Sequence, residues 1–255
     1  MRAGFICAGL VLASCGDVGP TIAPGSVVSN SVCADSYLLA LPDIESRIGA
    51  LSWQSRSALS RAPDAMQRLP QLDSNRERLA GLADVTLIGE PGTGRGDVAL
   101  VWGEDFETVW LNLDTLSKTL NASNPTQALQ SRLTALPRPD TPPRVLYLNR
   151  AGSSAGAGTF VDAVIRAAGG HNVVTHPGWH TPNVEAVLAL TPDVVVTSFL
   201  DSDYHGANDA LLRHSALNRA ISHQPKIDIP GALWPCAGPG LVEATELLNT
   251  QLLKL

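Results

Sequence analysis

Three short stretches of the chain carry residue types that chemistry needs. Gly152-Ser-Ser-Ala-Gly156 matches G-x-S-x-G, the turn that presents a nucleophilic serine in α/β-hydrolases. Asp201 or Asp203, followed by His205, His214 or His223, would complete a Ser, Asp, His order. Such an elbow needs its serine directly after a strand, whereas Ser154 stands well beyond Asn149 and a further Gly156-Ala-Gly158 precedes the next helix. A glycine-rich loop shaping a helix amino terminus is the plainer reading, and free N–H groups at such a terminus could receive an anionic ligand group. His176 and His180 have i, i+4 spacing, which on a helix would set two imidazoles side by side for a metal. Pro177-Gly178 excludes a regular helix across them, and neither HExxH nor CxxC occurs, so loop histidines and no protein-held metal or other cofactor are expected. The run Gly89 to Gly96 lacks the Lys-Ser/Thr of a phosphate loop, Asp97 following its last glycine. It is read as a turn, with Arg95 facing a ligand cleft.

Trp53, Trp110, Trp179 and Trp234 each fall in or beside a loop, or near a strand end. Four such positions point to an aromatic-lined cleft. Arg56, Arg95 and Arg150 recur at the same kind of place, a combination suited to a large ligand with apolar faces and acidic edges.

The elements that position these residues alternate between strand and helix. The segment Thr181 to Asp203 shows the pattern best: a helix capped at Thr181-Pro182 with apolar Val184, Val187, Leu188 and Leu190, a Thr191-Pro192 stop, then the strand Val194 to Thr197. That strand has no polar face, the habit of parallel sheets covered by helices on both sides. In such sheets ligands sit at the carboxyl ends of the strands, so the loop Ser198 to His205, with Tyr204, is a candidate wall. Before it run the strand Ser26–Ser29, a loop Asn30–Cys33 containing Ser31, the helix Ala34–Leu41, the strand Ile48–Leu51, the helix Arg76–Leu82 and the strands Val85–Ile88, Val98–Trp102 and Glu107–Leu111. Two helices broken at Asn124-Pro125 follow, ended by Pro137 to Pro143. The second half restarts with the strand Arg144–Asn149, the loop carrying Ser153 and the helix Thr159–Ala168; after the central segment come a helix Asp209–Ile221, the strand Ile227–Ile229 and a last helix to Leu252. The reading is α/β, two lobes with mostly parallel sheets: residues 26–111, a helical connection over 112–143, and residues 144–255.

At 255 residues and a formal charge of -6, with no Lys/Arg cluster, the chain has room for such lobes and does not suit nucleic acid or an anionic membrane as main partner. Its first residues, Arg2 and an apolar run ending in small residues, read as an export signal over 1–14. Leu12-Ala13-Ser14-Cys15 resembles the bacterial lipobox, which implies cleavage before Cys15, a lipid on its thiol, a tether over 15–25 and a periplasmic or other extracytoplasmic lipoprotein. In that oxidising setting Cys33 and Cys236 are either a disulfide or two small buried residues.

Ser29 to Asp35, Leu51-Ser-Trp-Gln-Ser-Arg56, Gly152 to Thr159, Glu185 to Val196 and Trp234-Pro-Cys-Ala-Gly-Pro239 together resemble the periplasmic substrate-binding proteins of iron-siderophore and cobalamin ABC importers. The resemblance implies two lobes joined by a rigid helix, no catalytic activity, and a monomer that binds a small metal chelate, ferric siderophore or corrinoid, in the cleft between the lobes. The metal arrives inside the ligand. It also implies delivery to a membrane permease and its ATPase, with Glu77 and Glu185 as one docking carboxylate per lobe. Ser31, Trp53, Arg56, Arg95, Trp110, Arg150, Ser153, Trp179, His180, Tyr204 and Trp234 then become the candidate ligand contacts, and Cys33 and Cys236 are expected to approach across the cleft. The rival readings are a secreted serine hydrolase using Ser154 and a lipoprotein that keeps the fold as a protein-interaction module.

Overall fold

A computed structural model describes residues 22–89, 97–198, 219 and 221–255. The export signal, Cys15, Arg95, Tyr204, most of the Ser198–His205 loop and nearly all of the Asp209–Ile221 helix lie outside the described residues.

Two parallel sheets organise the chain. The first contains β1 (Val27–Ser29), β2 (Ile48–Ser52), β3 (Gln71–Leu72), β4 (Thr86–Gly89) and β5 (Val98–Ala99), in the order β3-β2-β1-β4-β5. The second contains β6 (Arg144–Asn149), β8 (His171–Asn172), β10 (Val194–Ser198) and β11 (Lys226–Ile229), in the order β11-β10-β6-β8. Each order reverses direction once, between β1 and β4 in the first sheet and between β6 and β10 in the second. Those are the switch points beyond which α/β sheets open a crevice at their carboxyl ends. A short antiparallel pair, β7 (Ser154–Ala155) with β9 (Trp179–His180), adds to the second half.

Burial explains the apolar strands. Val27 of β1, Val145 and Tyr147 of β6, and Val194 and Val196 of β10 point into one cluster shared by both halves, while Val28, Leu146, Leu148 and Val195 point into separate outer clusters. Both faces are covered, so no strand needs a polar side. The outer clusters are closed by helices α2 (Arg76–Ala80), through Leu79, and α6 (Val184–Ala189), through Val187. The shared cluster takes in α1 (Val32–Leu38), α3 (Phe106–Leu120), α5 (Phe160–Ala167) and the last helix, Gly240–Leu252 (α7), with Leu129 and Leu133 of α4 (Thr126–Thr134) packed against it.

Three expectations need correction. Glu107–Leu111 is not a strand but the opening of α3, where the Asp105 carboxylate accepts from the Thr108 N–H at 2.9 Å as an N-cap. Val109, Leu113, Leu116 and Leu120 form its buried stripe at helical spacing, and that period outweighs the β-propensity of the short Val-Trp-Leu run. A boundary at residue 111 would therefore cut a helix. The Thr181 segment is capped two residues later than its sequence implied, by Asn183, whose side chain accepts from Ala186 N–H at 2.7 Å. Finally, α1 begins at Val32 with Ser31 as its cap, which places Cys33 in the first helical turn rather than in a loop.

Candidate functional site

Four aromatic rings meet at the carboxyl-end side of the second sheet. Tyr147 of β6 lies edge-on to Trp179 at 6.2 Å and to Trp234 at 5.8 Å, and Phe160, the first residue of α5, reaches the same two at 5.2 and 6.0 Å. These are the separations and tilts that ring quadrupoles favour. Trp234 is 2% exposed and Tyr147 1%, whereas Trp179 leaves 43% of its surface open. The cluster is thus a buried base with one ring at the surface. Burial raises the Tyr147 hydroxyl well above its ordinary 10, with Ser198 partly opposing and Asp228 adding to the shift, so it stays a neutral phenol. Trp234 Nε1 and His180 Nδ1 are buried and have no hydrogen-bond partner among the described residues.

The loop beneath Trp179 is held by its own backbone. Gly156 N–H donates to Gly178 O at 2.9 Å and Gly178 N–H to Ala157 O at 3.1 Å. Gly178 has φ +80°, and a Cβ on Gly156 would lie 1.7 Å from the His176 carbonyl oxygen, so the turn needs glycine at both places. Asn172 braces it from below, donating to Ala155 O and Asp162 Oδ1, each at 3.1 Å. The same loop brings the His176 and His180 rings to 5.8 Å without a helix. Among the described residues, no group of three or more His, Cys, Asp or Glu is placed to hold a metal ion.

The first sheet contributes its own strand ends. Trp53 follows β2 and is 57% exposed; Val101 and Trp102, just past β5, are also exposed. Behind Trp53 lies a buried carboxylate. Asp35 of α1 accepts from the hydroxyls of Ser29 and Ser52 and from the Ser52 N–H at 3.0 Å. Burial raises its pKa above 3.8, and those hydrogen bonds hold the rise back. The folded chain therefore keeps that proton to a higher pH than the unfolded chain does. The group's effect on stability becomes less favourable as pH rises through the raised pKa and recovers as pH falls toward 3.8.

Cys33 and Cys236 form a disulfide with Cα atoms 5.5 Å apart, joining α1 of the first half to the segment after Trp234 in the second. Cys236 and Ala237 both have positive φ, 57° and 49°. That conformation costs a non-glycine residue on the order of 1–3 kcal/mol and needs surrounding structure to hold it.

Several residues expected to face a ligand are occupied elsewhere. Trp110 is buried and stacks on Phe106 within the core of α3. Arg56 donates to the carbonyls of Gln67 and Leu69 at 2.8 and 3.2 Å, fixing the chain that enters β3. Arg150 is buried and partnered. The Ser31 hydroxyl accepts from Ala34 N–H as a helix cap, and Ser153 pairs with Thr181 at 3.1 Å. Ser154 is fully buried and donates its hydroxyl to the Tyr147 carbonyl at 2.7 Å, which removes it as an open nucleophile. The anion-receptive end of α5 is filled from within the chain, because Phe160 N–H donates to Glu104 Oε2 at 3.0 Å. Sequence reasoning missed Phe160, Tyr147 and Trp102, although the Gly-rich loop running into Phe160 was a usable signal.

No protein-family model matches the chain. A cobalamin-binding protein of Halobacterium salinarum is 36% identical over 88 residues, a stretch covering 32% of this chain and 24% of that protein's length. Among solved structures, the periplasmic heme binding protein HutB of Vibrio cholerae superposes with TM-score 0.70 at 22% identity, covering 89% of this chain and 98% of that one. A periplasmic heme binding protein from Pseudomonas aeruginosa gives 0.67 at 25% identity, over 91% and 94% of the two chains. The two structural likenesses cover about nine tenths of this chain, and the chain has the fold of the two-lobed periplasmic binding proteins.

Proposed function

We propose that this chain is the substrate-binding component of an ABC importer and captures a planar metal chelate of the heme or corrinoid type. The observation that carries the reading is the Tyr147, Phe160, Trp179 and Trp234 cluster, a rigid aromatic base with one ring exposed. A flat macrocycle gains by covering such a ring, and Trp53 and Trp102 offer further aromatic surface at the strand ends of the other lobe. The heme- and cobalamin-binding names of the similar proteins point the same way. Export, and a lipid at Cys15 holding a monomer at the membrane, complete the proposal. A ferric siderophore lacks a flat apolar face and suits this wall less well. The buried Ser154 speaks against hydrolysis.

The test is a titration of the purified protein with hemin and, separately, cyanocobalamin, followed by absorbance and Trp fluorescence. One of the two is expected to bind stoichiometrically. Trp179→Ala should weaken that binding about tenfold or more, since ~60 Å² of newly covered ring at ~25 cal/mol per Å² is about 1.5 kcal/mol. The unfolding midpoint should stay within about 2 °C of the parent. Failure of both ligands to bind would end the reading.

Glu77 and Glu185 stand exposed on α2 and α6, the helices that close the outer faces of the two lobes. In this proposal they meet cationic side chains of the permease, one contact per lobe, where desolvation gives a charge pair orienting power. Glu77→Lys and Glu185→Lys are expected to impair cellular uptake several-fold while leaving ligand affinity unchanged. Equal loss of uptake and affinity would place these residues in the binding site instead.

A further inference from the structure

The two aromatic surfaces are connected through one short helix. On its inner side, the Asp35 carboxylate holds the ends of neighbouring strands β1 and β2, through Ser29 and through both the N–H and the hydroxyl of Ser52. Ser52 is followed directly by the exposed Trp53. Two residues before Asp35 on the same helix, Cys33 is bonded to Cys236, which follows the buried Trp234 by two residues. The segment after Trp234 packs closely on α1: a Cβ on Gly238 would lie 2.8 Å from Ser36 Oγ. Its left-handed residues Cys236 and Ala237 sit where the disulfide clamps the chain. On α1 both attachments start from buried residues, Cys33 and Asp35, and less than one helical turn separates them.

We propose that Asp35 is a positioning residue for the binding cleft. It acts through Ser52 on Trp53 and, along α1 and the Cys33–Cys236 bond, on Trp234, so that a single strap sets both aromatic surfaces. Its purpose rests on the heme or corrinoid reading above, but its mechanics do not. A carboxylate suits the task because it accepts several hydrogen bonds at once, whereas an alanine there would accept none and release both strand ends. The disulfide matters to the same device because it transmits position across the lobes as a covalent link.

The decisive measurement needs no ligand. Protein carrying 5-fluorotryptophan gives one ¹⁹F resonance per Trp, assignable by single Trp→Phe replacements. Asp35→Ala is expected to shift or broaden the resonances of both Trp53 and Trp234 while leaving core Trp110 in place, and Cys33→Ala with Cys236→Ala should move the same two. Asp35→Asn, which keeps an acceptor for the Ser52 N–H, should return them toward the parent positions. Should Asp35→Ala fail to fold, Ser52→Ala removes one strand tie with the carboxylate kept, and the same paired response is expected. If either variant moved Trp53 alone, or if Asn failed to restore the pattern, the strap would be wrong. A parallel titration with whichever of hemin and cyanocobalamin the parent binds is expected to show about tenfold weaker binding by Ser52→Ala. Should the parent protein bind neither hemin nor cyanocobalamin, the functional reading fails while the fluorine spectra still decide the strap.

Discussion

Replacing Cys33 and Cys236 together by alanine is expected to lower the free energy of unfolding by roughly 3–5 kcal/mol, read from urea titrations of the oxidised protein. The cross-link spans 203 positions of sequence, and closing so long a loop removes chain entropy from the unfolded state worth roughly 5 kcal/mol at 25 °C. Some of that returns, because the turn at Cys236 and Ala237 can relax from its left-handed backbone once the clamp is gone. Reducing the parent protein should shift its midpoint by a comparable amount, and the reductant should leave the double variant unaffected. A loss below about 1 kcal/mol would mean that the bond contributes no constraint on the unfolded chain.

Trp234→Ala is expected to be the most damaging single aromatic truncation, at about 3–5 kcal/mol. The ring is 2% exposed and fills the space between Tyr147 and Phe160, both across ring contacts of 6.0 Å or less. Removing it leaves a cavity and deprives two neighbours of their packing. Trp234→Phe should recover much of the loss, since it keeps a ring there and discards a buried Nε1–H that has no protein acceptor among the described residues. Thermal unfolding followed by near-UV circular dichroism separates these outcomes. If alanine there cost no more than at the exposed Trp179, the cluster would not be a packed base.

The contrast between the two tryptophans shows how much of the site could be read in advance. Both were visible as loop-side aromatics, but sequence gives no means of telling which is the base and which the exposed ring. That depends on Tyr147 and Phe160, which meet the two indoles only when β6, α5, β9 and the segment before α7 are packed together. Arg56 shows the opposite outcome: a cation beside a strand end looked available, and the carbonyls of Gln67 and Leu69 claim it. Pro177-Gly178 excludes a helix between His176 and His180, yet the turn itself brings the centres of their rings to 5.8 Å.

What the amino-acid sequence determined by itself was the local and periodic part. The unbroken apolar run of β10, the matching run of β6, the start of α5 near Thr159 and the proline stops follow from neighbours within a turn or a strand, where side-chain period and backbone hydrogen bonding act directly. The alternating α/β order followed from these. Local inference also failed, most clearly at Glu107–Leu111, because a five-residue window is too short to separate a strand from the first turns of a helix whose stripe runs on to Leu120. Tertiary structure alone decided the pairing of Cys33 with Cys236, the Glu104 carboxylate at the head of α5 and the seat of Asp35 beneath two strand ends. Each joins residues distant in sequence, and such contacts are set by how sheets and helices pack, a cooperative outcome that no short window of residue types encodes.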